Sequence, residues 1–272
     1  MKRALLTALW TLAALIVIDV AVALVLAGPA PASLARFFEY GRSVPGKLAV
    51  WEARPKMRGN LYEVAWLPEM MEGSAAAARP AAKGPLVHGY SMSFVNHILE
   101  AAEAARPDLH VVRRAGPSAS PNFTYAAFLK DRPNRRAGDV AVLGILSSSV
   151  SAMGSFSNRT WLFEQPAPYT YPVFLPDGAG GLQIIEPLVQ SLAQQKSARS
   201  DPELARAWEA QLRAGDALFA PAAFDYPRLD ASPFARLVRR ALAQGGIDAR
   251  KAEVIARPED GPMPYGAVLR AM

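Results

Sequence analysis

The feature that most constrains this chain is an unbroken apolar run from Ala4 to Ala27, entered through Met1-Lys2-Arg3 and carrying one charge, Asp19. About 24 residues at ~1.5 Å rise per residue exceed the ~30 Å hydrocarbon core, so a helix here is long enough to cross a bilayer. Lys2 and Arg3 predict a cytoplasmic amino terminus, with the rest of the chain on the extracytoplasmic (periplasmic) side. The run outlasts the ~7–15-residue core of a cleaved signal peptide, which favours an uncleaved anchor over 1–28. Cleavage at Ala30-Pro31-Ala32, giving a secreted protein, is the alternative. A carboxylate is costly in hydrocarbon. Asp19 therefore faces a partner helix, is protonated, or is a single tolerated charge.

The remainder has enough apolar material for a core: 51% of the 272 residues are hydrophobic and 20% charged. With no cysteine, disulfides, thiolate metal sites and cysteine nucleophiles are excluded. The formal charge of +6 is scattered rather than gathered into a basic, aromatic stripe, so nucleic acid is not an expected partner. No metal or organic cofactor is expected. Residues 29–84 read as a juxtamembrane segment and linker. Phe37, Phe38 and Tyr40 suit a helix at the membrane interface ending near Gly41, or one packed on the domain. Trp66–Met71 suits a short helix, and Ala/Pro-rich Gly73–Gly84 a linker.

Residues 85–272 alternate strand and helix patterns, which predicts an α/β domain with a parallel central sheet between helical layers. Pro85–His88, Leu109–Arg113 and Asp139–Leu146 read as strands, and Ser91–Ala105 and Thr124–Leu129 as helices. The Asp139–Leu146 run is apolar on both faces, as expected of a central strand covered on both sides. An insertion over 156–245 opens with Trp161–Phe174, rich in aromatics and proline. Asp177–Gly181 then separates Tyr171–Leu175 from Leu182–Ile185 as in a β-hairpin. Ser200-Asp-Pro-Glu203 reads as a capping box for a helix ending at Gly215, and Ser232-Pro233 opens another running to Gly245. Ala252–Ala256 is a short strand or a further helical turn.

One stretch carries candidate chemistry. Leu86-Val87-His88-Gly89-Tyr90-Ser91-Met92-Ser93 reads as strand, tight turn and helix start, with the Ser91 hydroxyl beside the first helical N–H groups. That is where an α/β sheet puts its sites and where an oxyanion is stabilised. A serine capping an ordinary βα turn is the plainer reading. The Gly-Tyr-Ser-Met-Ser string resembles the nucleophile block of SGNH/GDSL-type hydrolases, whose domain is a flavodoxin-like three-layer α/β fold. Gly116, after the second strand, looks like the glycine block of that family. The resemblance covers Pro85 to Ser149 and implies that Ser91 is the catalytic nucleophile, with oxyanion donors at Ser91 and Gly116. The family's third donor is an asparagine after strand three. Here Gly144-Ile-Leu-Ser-Ser-Ser offers Ser147 or Ser148, with Asn122 on a neighbouring loop as another option and helix capping as the plainer role of these serines.

The family keeps its base in an Asp-Xaa-Xaa-His block near the carboxyl end. The three histidines here, His88, His97 and His110, all lie upstream of the third strand and read better as structural residues. Three strands where the fold has five, and an unfinished helix over Pro264–Met272, suggest a chain cut short before that block. The overall look is similar to membrane-tethered SGNH-like proteins of bacterial envelopes. The implied activity is that of a serine esterase or acyl-transfer enzyme acting on a small-molecule or glycan ester, such as an acyl-carbohydrate or lipid. The alternative is a non-catalytic envelope protein using a degenerate SGNH-like fold to bind glycan, lipid or a partner protein. The Trp161–Phe174 aromatics either floor such a site or pack among themselves.

Overall fold

The computed structural model describes residues 2–28, 31–53, 65–75, 86–261 and 263–272. Most of the expected linker, together with Pro85 and Ala30, lies outside them. Lys2–Ala27 is one helix (α1), long and apolar enough to cross a membrane. Two helices follow, α2 (Ala32–Glu39) and α3 (Val44–Ala53). The short helix expected near Trp66 is α4 (Leu67–Ala75).

The α/β layer is built on β1 (Leu86–Met92), β2 (His110–Gly116) and β3 (Val140–Gly144). All pair in parallel, in the order β2-β1-β3. Helices α5 (Ser93–Ala105) and α6 (Pro121–Lys130) make the first two crossovers. β1 runs further than the sequence pattern suggests. Gly89 is not a turn residue, because parallel partners on both sides carry the ladder through Tyr90 and Ser91 to Met92. The glycine serves packing instead: a Cβ there would stand 2.1 Å from Leu99 Cδ1 of α5.

Alternation divides β1 into two chemistries. Gly89 and Ser91, with Gly144 of β3, form a shallow face on which Val95 and Leu99 of α5 seat closely. His88 and Tyr90 point the other way, toward α6 and a buried polar cluster. The expectation of a covered central β3 is corrected. The central strand is β1, whereas β3 lies at the edge of the described sheet with Val140 and Leu143 exposed.

The predicted hairpin forms from β4 (Val173–Pro176) and β5 (Leu182–Ile185), antiparallel. Between β3 and β4 lie a 3-10 helix at Ser147–Ala152 and the short α7 (Asn158–Trp161). Beyond the hairpin come α8 (Leu192–Ser200), α9 (Pro202–Gly215) and α10 (Pro221–Phe224). A 3-10 turn at Pro227–Ala231, the long α11 (Pro233–Ala256) and α12 (Tyr265–Ala271) complete the chain. One of the two expected caps differs. Ser200 ends α8, and Asp201 caps α9 by accepting from the Glu203 and Leu204 N–H groups. Ser232 does cap α11, accepting from Ala235 N–H at 3.0 Å. That helix continues through Gly245 and Gly246 and absorbs Ala252–Ala256, since its inner residues Ala243, Ile247 and Val254 reach the core on either side of the glycines.

The amino-terminal helices dock on this body. Arg236 of α11 pairs with Glu39 at 2.8 Å, and Arg240 lies over the rings of Phe37 and Tyr40. Packing on the domain is therefore how α2 engages its aromatic residues. Asp19 has the partner its cost demands: its carboxylate accepts from the Phe234 N–H at the start of α11, 2.7 Å away.

The close seat of α5 predicts a sharp asymmetry between glycines. In Gly144→Ala the new Cβ would meet Val95 Cγ2 at 2.1 Å and Ser91 Cβ at 2.9 Å, an overpacking cost of about 1–3 kcal/mol. Gly245→Ala meets open space inside a helix and should be neutral or gain up to ~1 kcal/mol. Thermal melts of the detergent-solubilised full chain compare the two, and equal melting temperatures would refute the packing account.

Candidate functional site

Ser91 is the penultimate residue of β1, not the first residue of the helix, and it is 1% exposed. Its hydroxyl donates to the Met92 carbonyl and it lies beneath α5. The ladder brings Ser91 and Gly116 to one carboxyl edge: Met92 pairs with Gly116, and Ser91 with Gly144. Gly116 is required by packing, because a Cβ there would lie 2.7 Å from the Phe123 ring. Asn122 is fully buried at the first turn of α6 and donates to the Met153 carbonyl at 2.5 Å, leaving Oδ1 without a partner. Ser147 is exposed at the start of its 3-10 helix, where Leu146 holds the cap position and no side chain caps the turn. The serine and the glycine thus share an edge, while among the described residues no hydrogen bond joins Asn122 or Ser147 to them.

None of the three histidines serves Ser91. His110 starts β2, at the opposite end of the ladder from Ser91. His97 is 81% exposed and stands beside Glu100. His88 is buried on the face opposite Ser91, with Nδ1 3.1 Å from Asp131 and Nε2 3.3 Å from Asp139. The same Asp131 carboxylate receives the Tyr90 hydroxyl, an Arg114 guanidinium N–H at 2.7 Å and the Asn134 amide at 2.8 Å. Burial and the Asp131 carboxylate push the Tyr90 phenol up to about 12. These contacts fasten β1 and β2 to the end of α6.

A more promising cavity opens just beyond the carboxyl end of β2. It is a cleft of about 430 Å³, open to solvent, lined by Ser118, the Trp161–Gln165 segment, and Gln244 and Lys251 of α11. Ser118 has a left-handed backbone, φ 54°, uncommon for a residue with a side chain and costly unless its surroundings hold it. Asn158 does the holding. Its amide donates to the carbonyls of Pro117 and Ser118, both at 2.9 Å. Its Oδ1 accepts from Trp161 Nε1 and the Tyr171 hydroxyl, both at 3.1 Å. A single buried amide thus fixes both the strained loop and the indole that line the cavity.

Further polar groups support the cavity wall from behind. Asp216 is buried and accepts from Thr160 Oγ1 at 2.6 Å, Phe156 N–H at 3.0 Å and Leu218 N–H at 2.9 Å. Burial outweighs these bonds and raises its carboxyl to about 6. Lys47 of α3 donates to the Phe163 carbonyl and sits 3.5 Å from the centre of the Phe163 ring. Arg240 donates to Glu164 at 2.6 Å. Lys251 stands 5.3 Å from the Trp161 ring centre, its ammonium pKa lowered by burial. The aromatic content of 161–174 pointed to this segment, but nothing in the sequence placed Lys47, Gln244 or Lys251 beside it. Among the described residues no group of histidine and acidic side chains is arranged to hold a metal.

No family model, curated protein or solved structure matches this chain.

Lys47 gives the site a pH signature. Burial depresses its pKa from 10.5 to about 7, so between those values the unfolded chain holds a proton that the folded chain has released. Stability therefore rises with pH across that window. Lys47→Met removes the dependence: relative to the wild type it should be favoured near pH 6 and lose ground by pH 9. Melting temperatures at the two pH values test this, and a constant difference between the proteins would contradict it.

Proposed function

We propose that the chain is a membrane-anchored, extracytoplasmic binding protein of SGNH-like type, which holds a carbohydrate or acylated carbohydrate in the Trp161 cavity without cleaving it. The cavity is the observation that carries the reading. An indole flanked by a carboxylate, two carboxamides, a hydroxyl and an ammonium combines an apolar surface with the few directed polar groups that orient a polyhydroxylated ligand. Its position beside the carboxyl edge of a parallel sheet is where ligands of α/β folds bind. The apolar α1, with Lys2 and Arg3 at its start, supports the anchor and the orientation. Against hydrolysis stand a Ser91 hydroxyl turned into the protein and three histidines engaged elsewhere or distant.

Two observations favour a serine hydrolase as the second reading. The order β2-β1-β3 is the opening of a flavodoxin-like sheet, and Ser91 and Gly116 reach the same edge of it. In that reading Ser91 attacks an ester carbonyl, and backbone N–H groups of Ser91 and Gly116 receive the oxyanion.

A glycan array carrying free and O-acetylated oligosaccharides, probed with the full chain in detergent, tests the binding reading. Wild-type protein should retain a subset of them, and Trp161→Ala should weaken retention at least tenfold, corresponding to about 1.4 kcal/mol. A fluorophosphonate probe should leave the protein unlabelled. Labelling abolished by Ser91→Ala would replace this reading with the hydrolase, and an array without retained glycans would remove it.

A further inference from the structure

The first three turns of helix α11 are inside out for a helix on the surface of a soluble domain. Its outward side carries Phe234, Val238 and Leu242, which are 55%, 43% and 61% exposed. They are spaced i, i+4, i+8 and so share one stripe. Ala241 and Gly245 on the same side are exposed as well. The charges of these turns point inward or sideways, each with an acidic partner. Arg239 is buried against Asp230, Arg236 pairs with Glu39, and Arg240 pairs with Glu164. Just before the helix, Tyr226 and Leu229 add exposed apolar surface at 74% and 51%. A helix exposed to water places its residues the other way round.

The neighbour of this stripe says what covers it. At the start of α11 the Phe234 N–H donates to Asp19 of α1. Asp19, Val22, Ala23 and Leu26 are the partly shielded residues of α1, at the i, i+3, i+4, i+7 spacing of one helix face. The domain therefore rests along the last turns of α1, not beyond its end. From Asp19 to Ala27 is about 12 Å of helix at ~1.5 Å per residue. With Lys2 and Arg3 at one surface, a ~30 Å hydrocarbon layer extends about 20 residues along α1, past Asp19. Phe234 then lies at or just below the level of the opposite headgroups.

From this we infer that the Phe234–Val238–Leu242 face of α11, with Tyr226 and Leu229, is a lipid-contacting surface. It seats the domain in the bilayer interface beside its own anchor. The inference rests on α1 being a membrane anchor. The Asp19–Phe234 hydrogen bond sets the depth, since it gives the carboxylate a helix N-terminus where lipid would offer it nothing. An interfacial helix buries its apolar side ~5–10 Å into the headgroup boundary, which suits the three exposed side chains.

The absence of cysteine allows a direct test on the full chain reconstituted into vesicles of phosphatidylcholine and phosphatidylglycerol. Nitroxide labels are placed singly through Val238→Cys and Leu242→Cys, through Leu12→Cys in α1, and through Lys196→Cys on exposed α8. Relaxation by oxygen, which concentrates in lipid, is compared with relaxation by a water-soluble nickel chelate. The expected oxygen-to-nickel ratio at 238 and 242 is several-fold above that at 196 and resembles that at 12. If 238 and 242 behave like 196 while 12 remains in lipid, the inference falls and the anchor stands. If 12 is also aqueous, the anchor itself falls. If neither reagent reaches 238 and 242, protein covers the stripe, and lipid contact is overturned in favour of a second copy or a partner.

Discussion

The buried carboxylate of Asp131 is the interaction on which the α/β layer depends. It lies just past the end of α6 and is closed off from solvent. From there it holds Tyr90 and His88 of β1, Arg114 of β2, and Asn134 in the turn leading to β3. An unpaired charge at this depth would cost several kcal/mol, and removing one partner strands the other. The carboxylate therefore ties the helix to both strands at once and fixes the face of β1 that looks toward α6. Once that face is set, alternation puts Ser91 on the opposite one, under α5. A network that secures the sheet thereby withholds Ser91 from His88, three residues earlier on the same strand.

The same logic recurs where the domain meets its amino-terminal segment. Asp230 accepts from both the N–H and the hydroxyl of Ser43, at 2.9 and 2.7 Å, and pairs with Arg239 in the interior. Arg236, Arg239 and Arg240 of α11 are thus drawn inward to acids on α2, on the Pro227–Ala231 turn and in the Trp161–Gln165 segment. What remains for the outside of the helix is its apolar side. Cavity and stripe are consequences of one arrangement: α11 supplies Gln244 and Lys251 to the cavity on one side and Phe234, Val238 and Leu242 to the surface on another. In the proposed account, ligand binding then takes place close to the bilayer that anchors the protein.

Period and punctuation alone revealed a good deal. The apolar helix, the three parallel strands, the hairpin hinged at Asp177–Gly181 and the Ser232-Pro233 helix start are local features, and each is present. Asp19 was recognisable as a charge in need of a partner, because its cost in lipid is a property of the residue itself. Tertiary structure decided the rest. Gly89 reads as a turn in sequence but lies within a strand, since hydrogen bonds from strands over 20 and over 50 residues away in the chain outweigh its local freedom. β3 reads as a central strand because both faces are apolar, yet its place at the sheet edge depends on what pairs with it. The Trp161 cavity was half visible: the aromatics are adjacent in sequence, whereas Lys47, Gln244 and Lys251 come from helices far away in the chain. Sequence specifies which groups can bond. Only the fold determines which are near enough to do so, because long-range pairing has no period to read.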